Sequence, residues 1–205
     1  MKINTLLQVG FFGALLTSIS ELLFHYVPWS QASSLLEQQT FLQGVSETHL
    51  LLGYGIILLF LPLYFFGYLG VFLWIKEVTH KSPYIVLGLS YWMLTLGIMW
   101  ISARPVVVLL IQHKYQLELF ATLHDVTITV VRGLLFLSSV ALLWYVRKTQ
   151  YFKLLLFVNP FSVWTIIFLG FFIVPSFFWP LVLAAFNIAH VGFFGFLLVI
   201  ARKKV

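Results

Sequence analysis

The sequence predicts an all-α polytopic membrane protein, one integral domain over residues 1–205 built as a bundle of six transmembrane helices. Three observations predict it. Of the 205 residues 61% are hydrophobic and 9% charged, whereas a soluble domain carries about 25% charged residues to face water on all sides. Six apolar stretches are each long enough to cross a hydrocarbon core of roughly 30 Å, which takes about 20 residues of helix. Lys and Arg gather at alternate ends of those stretches, the pattern that sets topology in a bilayer.

The first span, Thr5 to Val27, is closed by Pro28. Lys2 ahead of an apolar run with Ala14 and Ser18 has the look of a signal peptide. No Ala-x-Ala-like site follows, and the run continues past Glu21, so the segment is expected to be a retained span. The second span covers Thr48 to Ile75 and the third Tyr84 to Ile111, the latter opened by Ser82-Pro83. Leu117 to Val146, Lys153 to Val174 and Phe178 to Ile200 follow, with Asn159-Pro160 and Pro175 as the entry and exit of the fifth. Pro62 and Pro105 are the expected kink points, because proline removes a helix hydrogen bond and crowds the preceding turn.

The outer connection, residues 28–47, contains Ser34-Leu35-Leu36-Glu37, which has the form of a capping box. Leu35, Leu42 and Val45 could share a helical face, so a short interfacial helix is expected, with a loop dipping its leucines into the headgroups as the alternative.

Orientation follows from the cations. One side holds Lys2, Lys76, Lys81, Arg147, Lys148, Lys153, Arg202, Lys203 and Lys204, and the other only Lys114. Both termini are therefore expected in the cytoplasm, with the protein in the cell (inner) membrane. The formal charge of +6 then records topology. Nucleic acid is excluded as a partner, because the basic residues form short clusters at helix ends and no single recognition face; anionic lipid headgroups could meet them. The absence of Cys removes disulfides and thiolate chemistry. Trp29, Trp179, Tyr84, Tyr115, Tyr145 and Tyr151 fall near the expected interfaces as an aromatic belt. Gly67-x-x-Gly70 and Gly192-x-x-Gly195 are weak signals of close helix packing.

Four charged residues lie inside spans: Glu21, Arg104, Asp125 and Arg132. Each costs at least about 2.5 to 3.5 kcal/mol to insert, so such groups face the bundle interior and find partners. At 1.5 Å per residue, Glu21 is roughly 9 Å, Arg104 roughly 11 Å, Asp125 roughly 12 Å and Asn187 roughly 13 Å below the outer helix ends. Four helices thus place polar groups in one layer of the outer half. His25 stands above Glu21, His124 adjoins Asp125, and His190 lies one turn below Asn187; Glu47, His49, His113 and Glu118 would ring the mouth. Arg132, leaning toward the helix N-terminus, is expected in a ladder with Thr129 and Asp125, and Glu21 in contact with Arg104. The inner half offers little beyond Asn159.

This layer points to a polar pocket whose plainest chemistry is general acid/base work on a hydrophobic molecule. Glu21, with His124 and Asp125 as a second pair, would carry proton transfer, and His25, Arg104, Arg132, Asn187 and His190 would bind the ligand. A metal set from Glu21, His25, His124, Asp125 and His190 is conceivable, but no compact ligand motif such as His-Glu-x-x-His is present, and no metal is expected. Ser18 and Ser20 lie beside Glu21 without a Gly-x-Ser-x-Gly elbow. No cofactor or oligomeric state is indicated.

Gly10 to Tyr26 (GFFGALLTSISELLFHY), Leu61-Pro62-Leu63-Tyr64, Asn159-Pro160, and Phe186-Asn187 followed by Gly192-Phe193-Phe194 resemble a group of small bacterial and archaeal multi-pass membrane proteins (domain of unknown function 6796). In that family a Gly-Asp pair typically occupies the position of Ser20-Glu21. The resemblance implies the six-span fold and an acid at that place, and carries no activity or catalytic residue.

Three functions compete. The first is binding or proton-transfer chemistry on a lipid-like molecule entering from the outer leaflet. The second is small-solute or proton-coupled transport, for which spans one to three and four to six would be inverted repeats. The third is a membrane scaffold whose buried charges serve packing alone.

Overall fold

The computed structural model describes residues 2–26, 45–112 and 118–202; the side chains of residues 107–112, 118–121, 124 and 183 lie outside that description. The described residues form helices and no strand: α1 (Ile3–Phe24), α2 (Glu47–Phe60), α3 (Leu63–Thr79), α4 (Tyr84–Gln112), α5 (Glu118–Val146), α6 (Phe152–Val158), α7 (Pro160–Ile173), α8 (Pro175–Leu183) and α9 (Ala185–Arg202). Among the described residues five helical stretches are long and apolar enough to cross a membrane, and six if the bent pair α6–α7 is counted as one span. The expected interfacial segment, with Ser34, Leu35, Glu37 and Leu42, lies outside the described residues, as do Trp29, His113, Lys114 and Tyr115.

Where the helices break, the side chains and prolines give the reason. Pro62 lacks an N–H, so the second span tightens there: Tyr64 N–H donates to Leu61 C=O (3.0 Å) and Phe65 N–H to Pro62 C=O (3.1 Å). Pro105 sits inside α4, which continues to Gln112.

The fifth span corrects the expectation. Asn159-Pro160 is not its entry but the 48° bend between α6 and α7. Asn159 closes both halves of the break, since its amide nitrogen donates to Leu155 C=O (2.9 Å) and its oxygen caps α7 by accepting from Ser162 N–H (3.1 Å). The sixth span is also shorter than expected. It runs from Ala185, because Pro175 opens the separate helix α8, which folds Phe178 over Gly170. Trp179 is buried against the bundle (2% exposed).

Helix α1 is the axis of the bundle, packed against α2, α3 and α9, while the α4–α5 hairpin lies on α2 and α3 and α7 lies on α9. α1 and α3 touch at Gly10 and Gly67, where a Cβ on Gly10 would run into the Gly67 Cα. Large apolar side chains such as Leu23, Leu59, Trp92, Phe172 and Ile173 stand on the outer surface, as on a surface solvated by lipid tails. The close α1–α3 approach sets the height at which their polar residues meet.

Candidate functional site

Glu21 lies in the last turn of α1, 7% exposed, and Asn187 lies in the first turn of α9. The Asn187 amide nitrogen donates to Glu21 Oε2 at 2.7 Å. On the other side of the amide, Tyr64 of α3 donates its phenol proton to Asn187 Oδ1. Tyr64 follows directly on the Pro62 break, so the backbone irregularity and the buried hydroxyl occupy the same turn.

The network has a direction. A carboxylate only accepts, so the amide must turn its nitrogen to Glu21 and its oxygen to Tyr64. Tyr64 has thereby spent its proton, and its oxygen sits 2.9 Å from Thr17 Oγ1. That hydroxyl also has the Gly13 and Ala14 carbonyls at 3.0 Å each. Every one of these residues is buried, so the satisfied bonds are what make the burial tolerable.

One turn deeper a second pair continues the column. His190 Nδ1 contacts the Phe186 carbonyl at 2.7 Å, and Tyr68 Oη lies 2.8 Å from His190 Nε2. A carbonyl can only accept, so Nδ1 carries the proton and Nε2 of the neutral ring accepts from Tyr68. Below this level Leu6, Leu7, Val71, Trp74, Ile75, Phe193, Phe194 and Leu197 are buried apolar packing.

Toward the other end, a different group surrounds Glu21. Ser20 Oγ donates to Gly53 C=O (3.0 Å), tying α1 to α2. His25 caps α1 and lays its ring over Gly53 and against Tyr54, with centroids 4.2 Å apart. Arg104 of α4 stacks its guanidinium over Trp100 (4.5 Å to the centroid) and faces the Tyr54 ring (5.8 Å). His25 Nε2 and Tyr54 Oη are buried and have no hydrogen-bond partner among the described residues.

Set against the expected residues, this arrangement divides them. Glu21, Asn187 and His190 belong to one buried network, and His25 and Arg104 to its neighbour. The expected Glu21–Arg104 contact is not a direct ion pair: Glu21 takes its hydrogen bond from Asn187, and Arg104 acts on it only through space. The ladder on α5 also differs. Thr129 donates to the Asp125 backbone carbonyl (2.8 Å), not to its carboxylate. Thr129 is satisfied within its own helix, as hydroxyls at that spacing commonly are.

Arg132 faces the Trp164 ring of α7 (5.7 Å to the centroid), within electrostatic reach of Asp125 and Arg104. The side chains of His124 and Glu118 lie outside the described residues, while Glu47 and His49 stand exposed at the start of α2. Among the described residues no three His, Asp or Glu side chains come together as a metal site.

Tyr64, Tyr68 and Thr17 are the residues that sequence reasoning passed over. Tyrosine in a membrane protein ordinarily marks an interface. A signal was nonetheless present: Tyr64 and Tyr68 lie four residues apart near the middle of a 33-residue span, where a phenol needs a buried partner.

Comparison with known proteins finds no family model, curated protein or solved structure that matches the chain.

Proposed function

We propose that this protein binds a lipid-like hydrophobic molecule in the outer half of its bundle and transforms it by proton transfer at Glu21. The observation that carries the reading is the Asn187–Glu21 hydrogen bond of 2.7 Å. It fixes one carboxyl oxygen within the bundle, which sets the orientation from which the carboxyl group would exchange a proton with a bound molecule. The apolar packing below Tyr68 favours a site that opens to one side over a path across the membrane, and so speaks against transport. In this reading the basic helix ends, from Lys2 and Lys76 to Arg202, face the cytoplasm. The chain then lies in the cell membrane with the Glu21 layer in the outer leaflet.

Native mass spectrometry of the purified protein tests this directly. The wild-type protein should carry a co-purified lipid-sized adduct, and Glu21→Gln, which keeps the shape and can still accept from Asn187, should alter its identity or occupancy. Ligand-free spectra from both proteins would overturn the reading.

A further inference from the structure

The two sides of Glu21 differ in how far their polar groups are used. Toward α3 and α9, Asn187, Tyr64, Tyr68 and His190 are all hydrogen-bonded. Toward α2 and α4, Tyr54 is 1% exposed and His25 4% exposed, yet among the described residues the Tyr54 hydroxyl and His25 Nε2 have no hydrogen-bond partner. Leaving such groups unpaired is unfavourable, so their presence together at one place calls for a polar group that meets them.

Arg104 gives that group its charge. Its guanidinium lies over Trp100 and faces Tyr54, and Arg132 is held in the same manner against Trp164. A stacked guanidinium keeps its N–H edge free, and that planar edge matches two oxygens of a carboxylate or phosphate. Neither arginine forms an ion pair among the described residues, although the two are within electrostatic reach of each other. Two cations approaching in a membrane raise each other's cost; Asp125 lies within reach of Arg132 and Glu21 within reach of Arg104, each acting through space.

We infer that the cluster of Arg104, Tyr54 and His25, with Arg132 beside it, is the headgroup site for an oxyanion, a carboxylate or phosphate monoester, carried by a single-chain or diacyl amphiphile. Arg104 supplies the bidentate edge and the Tyr54 hydroxyl a further donor. His25 Nε2 accepts from a protonated oxygen of the head, a role that a phosphate monoester fills and a carboxylate does not. The acyl chain would leave between the helices into lipid. This deepens the reading above, on which it rests, by naming the class of molecule that Glu21 would meet.

Titration of the full-length protein in a nonionic detergent micelle, followed by tryptophan fluorescence and native mass spectrometry, separates the outcomes. The probes are oleate, lysophosphatidic acid, oleyl alcohol and inorganic phosphate. Lysophosphatidic acid and oleate should bind at least tenfold more tightly than oleyl alcohol, and inorganic phosphate should not bind at micromolar concentration. Arg104→Gln should remove the preference while oleyl alcohol still binds. Tyr54→Phe, which keeps the ring stacking, should weaken lysophosphatidic acid severalfold with the fold intact. Equal affinity for alcohol and acids in the wild-type protein would overturn the oxyanion site and leave the hydrophobic pocket standing. Binding of inorganic phosphate as tight as that of lysophosphatidic acid would overturn the amphiphile. No binding of any chain would overturn the pocket itself.

Discussion

Asn187 and Glu21, separated by 166 residues in the chain, are joined by a 2.7 Å hydrogen bond from the amide nitrogen to the carboxyl Oε2. The bond closes α9 onto α1. It also sets the orientation of the amide, since Tyr64 occupies the other end.

A double-mutant cycle should recover this pairing. Asn187→Ala takes away the acceptor of the Tyr64 hydroxyl proton and the donor to Glu21 Oε2 in a buried layer, and is expected to cost about 1–3 kcal/mol or more. Glu21→Ala alone should cost a similar amount. The coupling energy between Glu21 and Asn187 should exceed that between Glu21 and Arg104, which lacks the direct contact. Reversible unfolding in mixed micelles measures both; a larger Glu21–Arg104 coupling would contradict the described geometry.

Replacing Gly67 by Ala is expected to destabilise the protein, because α1 and α3 meet backbone to backbone at Gly10 and Gly67. A glycine inside a helix ordinarily gains roughly 0.5–1 kcal/mol on conversion to alanine. Gly97→Ala, where an added Cβ meets nothing within 4 Å, should show that gain. Opposite shifts of the thermal midpoint in the same detergent are the expected result, and shifts of the same sign would refute the close approach.

His190 should be neutral with its proton on Nδ1, since that nitrogen faces the Phe186 carbonyl at 2.7 Å. Nitrogen chemical shifts of the labelled imidazole distinguish the two tautomers. Tyr68→Phe should leave the tautomer unchanged while lowering stability by about 1–3 kcal/mol, the cost of an unpaired buried acceptor. A proton found on Nε2 would reverse the Tyr68–His190 bond.

Asn159→Ala is expected to cost about 1 kcal/mol through loss of the α7 cap, with no effect on binding of any chain, because Asn159 serves the 48° bend and lies apart from the Glu21 layer. Thermal denaturation and the titration described for the oxyanion site provide the two readings. A loss of binding at unchanged stability would give Asn159 a different role.

Reporter fusions test the proposed orientation. A fluorescent protein fused after Arg202, with the remaining C-terminal residues kept, should fluoresce, and a phosphatase fused there should be inactive. The reverse pattern would place the basic ends outside and turn the bundle over.

The sequence by itself determined that the chain is a helical membrane bundle, and depth along the helices put Glu21, Arg104, Asp125 and Asn187 in one expected layer with His190 one turn deeper. Hydropathy is summed along the chain, and depth follows from a fixed rise per residue, so both are local properties. Tertiary structure alone decided the partners. Which residue Glu21 meets depends on how each helix is rotated about its axis and how closely its neighbours approach. The Gly10–Gly67 contact and the Pro62 break govern that approach for α1 and α3. For this reason Asn187, not Arg104, holds the carboxyl, and two tyrosines with the sequence character of interfacial residues complete the buried network. Arg104 is instead a cation stacked over Trp100 and facing Tyr54.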